Sequence, residues 1–240
     1  MNHPNWVRRD RVLVRAEWDG RPSDLPELAG SLLALLRDVD AALGDHRPWN
    51  IDGVGLINEY DTTTLTELLR GAVERGDDGT EWPSHGYNVL ANRTGESGFV
   101  SLSLRVGASV PGRRRPANSA MATVTGPTVE GEAQAPSVEL VEAVLRSIVR
   151  AWDPDTAAAY DRDAARATEG SGRFTPVIGQ RAWVSRRLGT VETVTSGVSA
   201  RVEERGTYLA ADDALDSSSA AHEVRASLSA NGIETIPSGA

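Results

Sequence analysis

The sequence predicts an α+β fold, a mainly antiparallel sheet with helices packed on one side. Two observations carry that class. Strand, helix, helix, three strands, helix, strands and helix follow one another without the regular alternation of a doubly wound sheet. Two strand-like stretches, 86–92 and 99–107, are joined by the turn-rich Arg93-Thr94-Gly95-Glu96-Ser97-Gly98, so they read as an antiparallel hairpin.

Each element has its own signal. Val12, Val14 and Ala16 alternate with Leu13, Arg15 and Glu17 ahead of Trp18, which predicts a first strand. The loop at 19–24 then offers Ser23 or Asp24 as a helix cap. Leu28, Leu32, Leu35, Leu36, Val39 and Leu43 line one face of a first helix over 25–43, and Gly44 ends it. After a loop holding Trp49 and Gly53-Val54-Gly55, Thr64 and Glu67 have capping-box spacing for a second helix along Leu65, Leu68, Leu69 and Val73, stopping near Gly76. An acidic turn at 77–83 precedes the hairpin, and a third strand over 120–125 follows the loop Arg113-Arg114-Arg115-Pro116.

The segment from Ser137 is the most regular in the chain. Val141, Leu145, Ile148 and Trp152 share one helical face, while Glu139, Glu142, Arg146 and Arg150 take the other. Pro154 stops this helix at Trp152, and Asp153 is expected to cap a new turn with Asp155 at its positive end. Residues 161–172 are polar and rich in Ala, Gly and Arg, so they are expected to form a mobile loop within one domain spanning 1–240. Strand-like stretches at 177–184 and 190–202, a short one at Tyr208 and Leu209, and a helix over 219–230 complete the order.

Composition narrows the chemistry. All 25 basic residues are Arg, so neither a lysine nucleophile nor a phosphate-binding loop with its lysine is available. The chain has no Cys, which removes disulfides, thiol catalysis and Cys-ligated zinc. A net charge of -9 opposes binding to nucleic acid and anionic membrane and favours a basic protein partner. The first residues carry charges and a Pro where a signal peptide needs an apolar run, and no stretch is long and apolar enough for a membrane helix, so a cytoplasmic protein is expected.

No catalytic pattern is evident. His3, His46, His85 and His222 are isolated, no G-x-S-x-G elbow occurs, and Gly53-Val54-Gly55 lacks the third glycine of a dinucleotide loop. No metal or cofactor is expected. Acidic residues concentrate at Asp77, Asp78 and Glu81, at Asp153, Asp155, Asp161 and Asp163, and at Asp212, Asp213 and Asp216. They read as solvated charge or, together, as a negative surface matching a partner's positive groove. Arg113, Arg114 and Arg115 run against that field, as a solvated loop or a weak nucleic-acid signal. Trp49 and Trp82 lie beside turn residues, where each either packs as a loop cap or stands out as an anchor for a protein partner.

Several of these segments, taken in order, resemble the immunity protein 52 family of bacterial polymorphic and contact-dependent toxin systems. They are the strand through Trp18 with its DGRPSD turn and the Leu-rich helix, the strand Ser101 to Ala108, and the helix ending Ala151-Trp152-Asp153-Pro154-Asp155. Further along, Val177-Ile178-Gly179 with Ala182-Trp183-Val184, and Gly206-Thr207-Tyr208-Leu209, resemble the family's later strands. The Ala-rich stretch 156–160 departs from the strand expected there. The resemblance implies an α+β immunity protein without catalytic activity that neutralises a cognate toxin, commonly a nuclease of restriction-endonuclease fold encoded next to it. Asp77, Asp78, Glu81 and Trp82 are the expected partner-binding residues, because acid and aromatic are adjacent in one loop. The competing expectations are a hydrolase using carboxylates such as Glu59, Asp61, Asp153 and Asp155, and a regulatory binding module with no toxin partner.

Overall fold

A computed structural model describes residues 11–45, 47–168 and 174–236. Strand β1 (Arg11–Trp18) lies near the middle of a 10-stranded sheet, because β6 pairs with one of its edges and β9 with the other, both antiparallel. Outward from β6 (Asn118–Thr125) come β5 (Gly98–Val106), β4 (Tyr87–Gly95), β2 (Trp49–Ile51) and the edge strand β3 (Gly55–Ile57). On the other side β9 (Thr156–Tyr160) leads through β10 (Arg181–Ser185) and β12 (Gly206–Ala211) to the edge strand β11 (Val198–Val202). A separate small hairpin, β7 (Thr128–Val129) and β8 (Glu132–Ala133), leads to the third helix.

The helices form where the caps permit. Asp24 accepts from Glu27 N while Glu27 reaches back to Asp24 N, and this capping box opens α1 (Leu25–Leu43); Gly44, at φ 84°, closes it in the left-handed region that glycine tolerates. For α2 (Thr62–Gly71) the cap is Asp61, which accepts from Thr64 N at 2.8 Å. Asp61 thus fills the role expected of Thr64, and the helix begins earlier and ends at Gly71 rather than near Gly76. Ser137 caps α3 (Val138–Trp152), and Asp216 caps α5 (Ser217–Ala230).

Strand parity divides the interior into two cores. Val12, Val14 and Ala16 of β1, Ala157 and Ala159 of β9, and Trp183 of β10 join α1, α2 and α3 in one core. Their chain neighbours Leu13, Ala158, Tyr160, Ala182 and Val184 point the other way, into a second core built with α5 and α4 (Arg162–Ala167). The α+β class and the antiparallel sheet are as the sequence predicts, and α1, α2 and α3 do share one side. Helices α4 and α5 cover the opposite face of the β9–β12 half, where one-sided packing is the expectation, because β9 and β10 are buried on both faces.

Other local expectations shift for identifiable reasons. The Trp49 loop is instead the β2–β3 hairpin, with Gly53 and Gly55 at positive φ supplying its turn. Residues 162–167, expected in a mobile loop, are helical because Asp161 accepts from Asp163 N and Ala164 N. Residues 169–172 of that expected loop lie outside the described residues.

Candidate functional site

One end of the sheet gathers the chemistry-bearing side chains: the C-terminal ends of β1, β5 and β10 and the starts of β4, β6 and β9. The corner after α3 lies here. Asp153 takes a left-handed conformation at φ 43° as the C-cap, its N–H donating to Val149 O, and the chain passes straight into β9. The new capped turn expected after Pro154 therefore does not form. A paired strand offers the backbone of Asp155 more: its N–H donates to Glu17 O at 3.0 Å, and its carbonyl accepts from Ser185 N at 2.9 Å.

The two carboxylates work as a clasp. Asp155 Oδ1 accepts from Arg187 Nε at 3.0 Å and Arg21 Nη2 at 3.1 Å, while Oδ2 accepts from Asp19 N at 3.1 Å. Arg187 Nη1 donates to Asp153 Oδ2 at 2.6 Å, and Arg21 Nη1 to Asp153 O at 2.9 Å. Burial, and then the charge of Arg187, lowers the pKa of Arg21. In Arg187 burial is outweighed by its bonds to Asp153 and Asp155, and its pKa rises. Carboxylates neutralised this way brace β1, β9 and β10, while Asp153 Oδ1 is buried without a hydrogen-bond partner.

The expected partner-binding residues lie on a tight turn between α2 and β4. Gly76 N donates to Thr80 O and Trp82 N to Glu74 O, so the turn is laddered like a small hairpin. Asp78 accepts from Thr80 N at 2.9 Å, and those bonds hold its carboxyl below the usual range. Glu81 pairs with Arg75 at 2.6 Å. The Trp82 ring packs over Gly76, where a Cβ would come within 2.7 Å of it, yet Trp82 remains 43% exposed. It leans on His85 with ring centroids 5.2 Å apart. Asp77, Asp78, Glu81 and Trp82 are thus together on one rigid, exposed turn.

His85 also lines a cleft of about 950 Å³, with Arg105, Arg113, Arg114, Arg115 and Phe174 among its other walls. The loop carrying the three successive arginines is tied down at several points. Gly112 N donates to Asp19 Oδ1, Arg105 Nη2 to Pro116 O, and Ser109 N to Ser84 O. Buried Asn118 spans the loop's base, accepting from Ala108 N and donating to Ala108 O and Asp19 O. In the sequence these arginines read as a solvated loop or a weak nucleic-acid signal, and Arg105 looks like an ordinary outward strand position. Its proximity to the loop depends on strand pairing that no local pattern reports.

The remaining candidates take structural roles. Glu59 is exposed and Asp61 is the α2 cap, so the four carboxylates of the hydrolase expectation do not converge. Trp49 is fully buried, its indole N–H donating to Asp40 Oδ1 at 2.8 Å, which makes it the packed cap and not the anchor. His222 lies on α5 with a ring nitrogen 2.9 Å from Ser218 O, and His3 and His46 lie outside the described residues. Among the described residues, no group of three or more His, Cys, Asp or Glu is placed to hold a metal, and no helix is long and apolar enough to cross a membrane.

No family model and no curated protein matches the chain. Among solved structures it is similar to the Pseudomonas aeruginosa T6SS protein PA0821, at TM-score 0.50 and 11% identity, over 93% of this chain and 76% of that one. At that identity the likeness shows the fold alone.

Proposed function

We propose that this chain is a non-catalytic immunity protein that binds a cognate bacterial toxin and blocks its active site or its access to substrate. The observation that carries the reading is the laddered turn holding Trp82 half out of the surface beside Asp77, Asp78 and Glu81. A large aromatic side chain fixed on a rigid turn, flanked by charge, has the composition of a protein-binding hot spot. The ordered resemblance to the immunity protein 52 family supports the same reading, and the fold neighbour's description as a T6SS protein fits a setting of bacterial competition. A toxin acting on nucleic acid, such as a nuclease of restriction-endonuclease fold, presents a positive groove, and an immunity protein of net charge -9 complements it.

Protection calls for occupancy at low concentration, so the complex is expected to reach nanomolar affinity through an interface of roughly 1,600 Å². The decisive experiment mixes the purified protein with the toxin encoded beside its gene. Inhibition at equimolar ratio is the expected result, and a toxin left fully active by excess protein overturns the reading.

A further inference from the structure

The cleft beside Trp82 has a charge opposite to that of the molecule. Arg105, Arg113, Arg114 and Arg115 line it, and among the described residues no carboxylate does. None of these four guanidinium groups makes a salt bridge among the described residues. The Nε of Arg105 is buried with no hydrogen-bond partner, although its Nη2 is occupied by Pro116 O. A buried donor of this kind is costly to leave unpaired and is relieved by an incoming acceptor. Burial, and then the charge of Arg115, lowers the pKa of Arg105, so an anion entering the cleft would also relieve repulsion between the two.

We propose that this cleft is a docking site for an acidic segment of a protein partner, whose Asp and Glu side chains pair with Arg105 and with Arg113, Arg114 and Arg115 while Trp82 anchors the rim. Guanidinium forks match carboxylates in geometry, and Arg and Trp are the residues that dominate protein interfaces. The surroundings select against a polyphosphate chain. Asp77, Asp78 and Glu81 stand on the same turn as Trp82, a few residues from His85 in the cleft wall, and would repel a continuous phosphate backbone. A folded protein can place carboxylates in the cleft and basic groups against that turn, which a uniform polyanion cannot. The inference refines the immunity reading by assigning the partner's chemistry, and it rests on that reading only for the partner's name.

The test uses the full chain and a fluorescent peptide that carries a short Glu cluster followed by Arg residues, with inorganic phosphate and a single-stranded oligonucleotide as the other arms. The peptide is expected to bind, and its affinity to fall about tenfold in R113E/R114E/R115E and again in R105Q, since rim and buried donors are lost separately. R105Q is scored only if its circular dichroism and melting match the parent, and the triple variant changes exposed side chains alone. Equal peptide affinity in parent and variants overturns the proposal, as does tighter binding of the oligonucleotide or saturation of the cleft by phosphate. Neutralisation of the neighbouring toxin is read in parallel. Protection without peptide capture removes the cleft and keeps the immunity reading, whereas peptide capture without protection does the reverse.

Discussion

At the scale of single residues, the corner Trp152-Asp153-Pro154-Asp155 separates conformation from charge. Asp155 is buried and joins two arginines to a backbone N–H, so D155A strands Arg21, Arg187 and the Asp19 amide together. Because Arg21 and Arg187 are partly exposed, the cost is discounted to about 2–3 kcal/mol. Asp153 occupies a left-handed conformation that glycine prefers, so D153G gains backbone ease while it loses the Arg187 contact, and the net change is expected within about 1 kcal/mol. Urea unfolding of the two variants checks the contrast, and equal losses would mean that charge alone sets the corner. Trp82 supplies the complementary case. W82A is expected to leave the melting temperature within about 2 °C of the parent and to weaken toxin binding by at least about tenfold, measured by titration calorimetry. The sequence already showed acid and Trp adjacent in that loop. It could not show that Arg21 and Arg187, distant along the chain, would claim both corner aspartates.

At the scale of elements, legibility tracks how local the deciding interaction is. Helices α1 and α3 read correctly because apolar spacing, caps and stop signals all lie within the helix itself. Helix α4 and the β2–β3 hairpin escaped, since one is six residues held by Asp161 and its packing on α5, and the other is two three-residue strands of which β2 alone is paired with β4. The caps also predict a pH response. In Asp61 and Asp216 hydrogen bonds from backbone N–H groups hold the carboxyl below its usual 3.8. A depressed pKa means the folded state binds the proton less readily than the unfolded one. The stabilisation is therefore complete above that ordinary value and is lost as pH falls through the lower folded value. The protection of the first-turn amides of α5, taken as exchange relative to an unstructured peptide at the same pH, is expected to fall on acidification below about pH 4, and D216N, which still caps but carries no charge, should show no such step. An identical acid response in D216N would assign the change to another group.

At the scale of the whole molecule, two cores share one sheet, and β9 is the wall between them. Ala157 and Ala159 face the α1–α3 side and Ala158 faces α4 and α5, so three successive small residues let helices approach the strand from both sides. The run looked ambiguous in the sequence because alanine marks neither a strand nor a face by itself. Its meaning comes from the neighbours: β9 is hydrogen-bonded to β1 on one edge and β10 on the other. Ala158→Leu therefore overpacks the second core alone, at an expected cost of about 1–3 kcal/mol. The buried tryptophans report on where that cost is felt, because Trp18, Trp49, Trp152 and Trp183 all belong to the first core. If the shared sheet makes unfolding a single transition, the tryptophan fluorescence midpoint in urea falls together with the circular dichroism midpoint, although among the described residues no tryptophan belongs to the second core. A fluorescence midpoint left in place while circular dichroism falls would show that the α4–α5 half melts on its own and that β9 does not couple the cores.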